Sequence, residues 1–316
     1  KTLPSLDSSS TNFVIGLGVN QSINQSSNQS SKLFFFKFSF TTDSLTHPTF
    51  IPVNSWTEPC SGSSNCISQP GVTDGLAALS DRTMHRTVYR NMGSYESILV
   101  VHSIQQPSGG FGQVGVGWYE IRNPSTTPYI HQQSTFQPDS TSKWMGSIAM
   151  NGDDTILLGS SASSSSVYPG IRYTYRLSSD PLNTMRNEVV LFTGSGSQSQ
   201  TGNRWGDYTC LQVDPSDDSS FWYTNQYIPS TGSFNWKTRV MQFDPTLQSP
   251  TASPTISLSP TPPATSPPTP SPTVPSPTSP PTSTFTLTAS SPAKFSFDAT
   301  FSGNQYGCST FTMTGS

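Results

Sequence analysis

The sequence predicts an all-β protein. Thirteen segments rich in β-branched and aromatic residues recur through the first 243 positions, and Gly, Asn, Asp, Ser or Pro bound each one, which is typical of strands separated by turns. Turn signals such as NGDD at 151–154 and DPSDDSS at 214–220 lie between paired segments, as hairpins require. No apolar pattern of helical period persists beyond two turns, so helices are not expected.

The predicted strands follow one another at short intervals along the chain. In order they are 12–18, 32–40, 84–92, 96–104, 114–122, 129–136, 144–150, 155–163, 171–178, 188–194, 208–214, 220–228 and 236–243.

These strands form a repeat. Trp144 and Trp205 each open a strand, an acidic turn and a second strand, and each unit is followed by a strand that combines aromatic residues with Arg. The segment 84–103, followed by 115–122, is an upstream unit of the same kind. A period of about 60 residues with three or four strands per unit predicts the four-stranded antiparallel blades of a β-propeller. A β-sandwich is the alternative, although it does not predict the recurring Trp and Arg.

Four long motifs carry a family resemblance. They are CSGSSNCISQPG at 60–71, LSDRTMHRTVYRNMGSYESILVVHS at 79–103, SIAMNGDDTILLGSSASSSSVYPGIRYTYRL at 147–177 and RWGDYTCLQVDPSDDSSFWYTNQYIP with FNWKTRV within 204–240. Together they resemble secreted β-propellers near the sialidase-like, BNR-repeat type, which are mostly of unassigned function. The resemblance covers about residues 12–243 and implies that the chain holds the later blades of a propeller. About three and a half blades are present, whereas closure takes about four, so a longer polypeptide or another chain is expected to supply the rest.

Composition excludes several function classes. Charged residues make up 10% of the chain and the net charge is −3, which leaves no basic footprint for a nucleic-acid partner. No apolar run approaches 18 residues, so no membrane span is predicted. The chain begins at Lys1 without an initiator Met, which indicates a mature chain or a fragment.

The cysteines predict an oxidising, extracellular setting. Cys60 and Cys66 flank a short polar loop that closes easily into a disulfide ring, with two free thiols as the alternative. A zinc site would need a C-x2-C pair with nearby partners. A long-range bond between Cys210 and Cys308 is a second candidate. Disulfides are typical of secreted proteins.

Three N-x-S sequons lie close together at Asn20, Asn24 and Asn28. They predict a cluster of N-glycans on an exposed loop of a secreted eukaryotic protein. A polar loop without sugar is the alternative.

The sequence predicts no catalytic residue. A sialidase needs an Arg cluster for the substrate carboxylate, and Arg86 and Arg90, four residues apart, would share a face of a strand. The favoured interpretation is that the arginines instead bind turn acids such as Asp81 and Asp207. Glutamates are scarce and the regular S-x-D-x-G-x-x-W box of sialidases is absent.

Metal and ligand sites are weakly indicated. The four histidines are scattered, and the acidic turns use Asp and Gly for backbone reasons, so no metal and no cofactor other than covalent glycans is expected. Calcium at those turns is an alternative. A sugar-stacking platform is another, formed by Trp222, Tyr223, Tyr227 and Trp236.

Near the C-terminus, residues 249–281 are almost entirely Ser, Thr and Pro. Such a tract predicts polyproline II, a rod of about 100 Å at about 3.1 Å per residue, and suits dense O-glycosylation. It resembles the hydroxyproline-rich glycoproteins of algal and plant extracellular matrix; a flexible interdomain linker is the alternative. The predicted O-glycosylation or hydroxyproline positions are Ser249, Pro250, Thr251, Ser253, Pro254, Thr255, Ser259, Pro260, Thr261, Pro262, Pro263, Ser266, Pro267, Pro268, Thr269, Pro270, Ser271, Pro272, Thr273, Pro275, Ser276, Pro277, Thr278, Ser279, Pro280 and Pro281.

Three regions follow: propeller blades in 1–246, a stalk in 247–284 and a β-strand segment in 285–316. The last is too short for a core of its own and is predicted to add to another subunit's sheet or to begin a truncated domain. The sequence therefore predicts a non-enzymatic extracellular structural glycoprotein that assembles with copies of itself or other subunits into a fibre or surface appendage. The alternative is a carbohydrate-binding or sialidase-like glycoside-hydrolase propeller with a flexible linker.

Overall fold

The computed structural model describes residues 11–18, 31–39, 41–62, 65–105, 113–199, 204–244, 293–304 and 307–315. Within these ranges the chain forms nineteen strands and one short 3-10 helix, Pro59–Gly62. The prediction of an all-β protein is confirmed.

The strands are numbered in chain order. They are β1 Thr11–Gly18, β2 Lys32–Ser39, β3 Ser44–Leu45, β4 Thr49–Pro52, β5 Asn65–Gln69, β6 Val72–Ala77, β7 Val88–Asn91, β8 Glu96–Gln105, β9 Val114–Arg122, β10 Tyr129–Phe136, β11 Ser142–Met150, β12 Ile156–Ser163, β13 Gly170–Arg176, β14 Val189–Phe192, β15 Cys210–Val213, β16 Phe221–Tyr227, β17 Lys237–Phe243, β18 Ala293–Asn304 and β19 Gly307–Gly315.

These strands form five antiparallel sheets. Sheet I contains β1–β4, sheet II is the β5–β6 hairpin, sheet III contains β7–β10, sheet IV contains β11–β14 and sheet V contains β15–β19. In sheets III, IV and V each strand pairs with its neighbour in sequence, so the chain runs up and down within each sheet. Sheets III and IV are four-stranded, as the repeat predicted.

The predicted turns contain the residues that their backbone requires. Asp154 lies in the β11–β12 turn with φ 63° and Asp218 lies in the β15–β16 turn with φ 52°. Asn123, which follows β9, has φ 54°. Asn and Asp tolerate this left-handed conformation better than most residues because their short polar side chains bond locally. The acidic turn signals therefore identify hairpins.

Alternation along the central strands buries both faces of sheet III. On β8, Ile98 and Val100 join an apolar cluster with sheet I, whereas Leu99 and Val101 join a cluster with sheet IV. All four are at most 2% exposed. Successive side chains of a strand point to opposite faces, so a single strand contributes to two hydrophobic layers.

Sheet IV is covered on both faces in the same way. Leu158 of β12 packs toward sheet III, and Leu157 packs toward sheet V with Phe221 and Tyr223. Trp144 and Trp205, the residues that open the repeats, are both buried with ring centroids 5.5 Å apart. Sheets I, III, IV and V are therefore layered in chain order, with an apolar cluster between each pair.

The first strands of sheets III, IV and V converge. β11 packs on both β7 and β15. Residues of sheet III and its lead-in also reach sheet V directly, because Arg90 lies 2.7 Å from Asp218 and the His85 and Tyr208 rings are 5.9 Å apart. In a parallel stack these two sheets would be about 20 Å apart, since packed sheets are separated by about 10 Å. The three sheets therefore fan out from their first strands.

The tail strands extend a sheet of their own chain. β18 pairs antiparallel with β17, with Thr238 opposite Ala299 and Phe243 opposite Ala293, and β19 pairs with β18. The sequence indicated another subunit's sheet or a truncated domain, so this placement within sheet V differs from that expectation.

Candidate functional site

The predicted disulfide is confirmed. Cys60 and Cys66 are bonded with their Cα atoms 5.4 Å apart, and both are buried. Cys60 lies in the 3-10 helix and Cys66 in β5, so the bond ties that helix to sheet II. Their side chains join the apolar cluster that also contains Leu99 and Trp144. The bond therefore holds the β5–β6 hairpin against this apolar cluster.

The alternative bond between Cys210 and Cys308 is not formed, because Cys210 is a free cysteine. Its strand, β15, is one edge of sheet V, and β19, which carries Cys308, is the other. Four strand spacings of about 4.8 Å place the edges about 19 Å apart. A disulfide needs Cα atoms within about 7 Å.

The predicted glycosylation sites lie outside the described residues. This holds for Asn20, Asn24 and Asn28 and for the whole tract 249–281.

At the turn end of sheets III and IV, charged side chains form what we call the turn-end cluster: Tyr95, Glu120, Arg122 and Asp154. Glu120 and Arg122 alternate along β9 and share a face. Glu120 is fully buried and accepts hydrogen bonds from Arg122 Nε at 2.7 Å and from Ser97 Oγ at 3.1 Å. The neighbouring Gln132 amide also donates to this carboxylate. Its hydrogen-bonding capacity is therefore largely used within sheet III.

The remaining members of the turn-end cluster connect the two sheets. The Tyr95 hydroxyl, between β7 and β8, donates to the Asp154 carboxylate in the β11–β12 turn. The Arg122 guanidinium lies 3.8 Å from the centroid of the Tyr95 ring, a favourable cation–π contact. Burial, together with the bond to Asp154, raises the pKa of Tyr95 well above its usual range. The bond between Tyr95 and Asp154 therefore links sheet III to sheet IV.

Arg86 and Arg90 do not share a strand face. Arg86 is exposed and precedes β7, which begins at Val88, whereas Arg90 lies within β7. The prediction of a common face was wrong because the strand is shorter than the apolar pattern suggested. Arg90 pairs with Asp218, an acid of a turn in sheet V.

Other arginines also bind turn acids. Arg82 contacts Asp81 at 2.8 Å and Arg204 contacts Asp207 at 2.6 Å. These are the partners that the favoured interpretation named. Each of these two arginines is therefore held by a neighbouring carboxylate.

One buried lysine was not predicted from the sequence. Lys143 in β11 is fully buried, 2.8 Å from Asp139 and 3.3 Å from Glu188. Arg172 lies 3.6 Å from the same glutamate. Burial raises the pKa of the Glu188 carboxyl despite these cations. A lysine directly before the apolar run that starts at Trp144 was the available signal for a buried ion pair.

The aromatic residues of β16 do not form one platform. Tyr223 and Tyr227 are buried between sheets IV and V. Trp222 lies on the opposite face of the strand and donates its indole N–H to Asp214 at 2.8 Å. Trp236 is 40% exposed. The alternation of β16 places Trp222 on the face opposite to Tyr223 and Tyr227, and Trp236 lies outside this strand.

The described ranges contain no group of three or more His, Cys, Asp or Glu side chains placed to hold a metal ion. No helix in them has the length and apolarity that crossing a membrane requires.

Comparison with known proteins gives no match to any family model, curated protein or solved structure.

Proposed function

We propose that the chain is a non-enzymatic extracellular structural glycoprotein, a subunit of a fibre or surface appendage. Its sheets are the blades of a partial β-propeller, and its Ser/Thr/Pro tract is a rigid, O-glycosylated rod. One observation supports the propeller: sheets III, IV and V fan out from their first strands.

The functional proposal depends mainly on the Ser/Thr/Pro tract, residues 249–281. Thirteen prolines lie within residues 249–281, and the segment has no charged residue, Gly, Asn or Asp. It cannot bury a core, so its contribution to function is its length, stiffness and capacity for sugar. Copies of the chain or other subunits are its expected partners.

The charged groups of the described sheets favour a structural role. Glu120 accepts hydrogen bonds from Arg122 and its polar neighbours, and Tyr95 is bonded to Asp154. A glycosidase needs a carboxyl group that is free to donate or accept a proton at the substrate. These groups instead stabilise contacts within and between sheets.

The extracellular location rests on two features. The Cys60–Cys66 disulfide is compatible with an oxidising compartment, and the sequons at Asn20, Asn24 and Asn28 suit a secreted glycoprotein.

Glycopeptide mapping of the chain secreted from eukaryotic cells tests this proposal. We expect sugars along residues 249–281 and assemblies in which copies of the chain repeat at a regular spacing. An unmodified tract on a monomeric chain would contradict the structural role.

A carbohydrate-active propeller is the second candidate, because the turn-end cluster combines the Tyr, Glu, Arg and Asp side chains that sialidases use. Turnover of a fluorogenic sialoside or other model glycoside would support it, provided that Glu120→Gln abolishes the rate while Asp81→Asn, at an exposed ion pair, leaves it unchanged. Absence of turnover in the unaltered chain favours the structural proposal.

A further inference from the structure

The pairing of β17 with β18 places the two ends of the Pro-rich segment side by side. β17 ends at Phe243, which lies opposite Ala293, the first residue of β18. Opposed residues of an antiparallel pair have Cα atoms about 5 Å apart. Residues 244–292 connect these two points in sequence.

A rod with the composition of this connection is much longer than the distance between Phe243 and Ala293. The 33 residues 249–281, with their thirteen prolines, extend to about 100 Å in polyproline II. The sixteen residues of the connection outside this tract, 244–248 and 282–292, extend to at most about 55 Å, which is too short to return along such a rod. A straight rod therefore carries β18 far from the β17 that precedes it.

A second copy of the chain removes the conflict. We propose that the β18–β19 hairpin of one copy pairs with the β17 edge of another copy, so that sheet V is completed by strand exchange. This inference rests on the rod of the proposed function. Each copy has one hairpin and one β17 edge, and these lie at different places on the copy. A contact between the two is therefore head-to-tail, and it generates an open filament when the rotation from one copy to the next does not close a ring.

The exposed edge and the register fit this partner. Without the hairpin, sheet V keeps three strands, and the seven-residue β17 becomes its edge. Edge strands are templates for a strand from another chain, held by main-chain hydrogen bonds. The register pairs Thr238 to Met241 of β17 with Ser296 to Ala299 of β18 without interruption. A second copy of the chain supplies the β18–β19 hairpin that fits this edge, so no other component is needed.

Cysteine trapping tests the exchange. Thr238 and Ala299 are opposed in register, at a separation that a disulfide can span. The full chain is secreted with Cys210→Ser and Cys308→Ser, which leave the Cys60–Cys66 bond as the native disulfide. Two versions, one with Thr238→Cys and one with Ala299→Cys, are co-expressed and analysed on non-reducing gels. Exchange predicts covalent dimers that contain both versions.

Thr300→Cys replaces Ala299→Cys in the matched control, because the next residue of a strand points to the other face. We expect at least tenfold less dimer from that pair. A single chain carrying both Thr238→Cys and Ala299→Cys should give a ladder of covalent oligomers.

Two results would overturn the exchange: cross-linked monomers from the doubly substituted chain with no mixed dimers, or no cross-link in any combination. Neither result is the same as failure of the proposed function. Glycosylated filaments with cross-linked monomers would refute the exchange alone, whereas an unmodified, monomeric chain would refute the function as well.

Discussion

Gly159 in β12 offers a sharp test of the packing between sheets IV and V. It is buried against Tyr223 of β16, and a Cβ atom at this position would lie 2.4 Å from the nearest ring atom. Ordinary carbon contacts are about 3.5–4.0 Å, so the Gly159→Ala methyl group requires a ring displacement of about 1 Å.

The surroundings of Tyr223 resist that displacement. Its ring is 2% exposed, and its hydroxyl accepts a hydrogen bond from Asn225 Nδ2 at 2.8 Å. Overpacking of a filled core costs about 1–3 kcal/mol. Because the hydrogen bond is strained together with the ring, we expect Gly159→Ala to lower the free energy of unfolding by about 2 kcal/mol. This corresponds to a fall in Tm of about 4–8 °C for a body of this size.

Gly16→Ala is the matched control, since Gly16 also lies within a strand and the nearest atom to its added Cβ is 4.0 Å away. Thermal and urea unfolding followed by tryptophan fluorescence measure both variants. Equal stability losses in the two variants, or none at Gly159, would refute the close contact between β12 and β16.

Three further changes have defined outcomes. Cys60→Ser with Cys66→Ser opens a ring with a sequence separation of 6 and should lower the unfolding free energy by about 2 kcal/mol through unfolded-chain entropy, measured in urea. Burial lowers the pKa of His102 to about 3, below its ordinary 6.5. Between pH 6.5 and 3 the unfolded chain binds a proton at His102 that the folded chain does not bind. As the pH is lowered through this window, the free energy of unfolding should therefore decrease by up to about 1.4 kcal/mol per pH unit. His102→Gln should flatten this slope. Asp218→Asn removes the partner of Arg90 and should cost about 0.5–1 kcal/mol, measured by thermal unfolding.

Each of these changes has a control. Cys210→Ser removes a free thiol and should change the urea midpoint little. His47→Gln, at an exposed position, is the control for His102→Gln. Asp81→Asn breaks an exposed ion pair and should cost less than Asp218→Asn. A reversal of any of these orders would contradict the burial and pairing described above.

Much of sheets III to V could be predicted from sequence because local signals agree there. β9 and β10 match the predicted strands at both ends, since apolar runs are bounded by turn residues. The β5–β6 hairpin was missed because its strands carry few apolar residues. Gly75 in β6 is required by packing, since an added Cβ would lie 2.8 Å from the carbonyl oxygen of Asn65. That approach depends on tertiary contact and has no local signal.

The side-chain networks were harder to predict than the strands. The bond between Tyr95 and Asp154 joins turns that are 59 residues apart in sequence, and the Arg90–Asp218 pair spans 128 residues. Neither pairing has a spacing rule, because it depends on how successive sheets fan out. The short-range partners Asp81 and Asp207 followed from the sequence, whereas the long-range partner of Arg90, Asp218, required the structure.

Electron microscopy of the secreted full-length chain tests the central claim most directly. The claim is that the chain is a structural subunit whose copies are joined at regular intervals by a rod of about 100 Å. We expect filaments in which globular bodies repeat at an axial spacing of about 100 Å or more, and enzymatic removal of O-glycans should make the spacing irregular. Separate single bodies at every protein concentration, with the tract unmodified, would contradict the account.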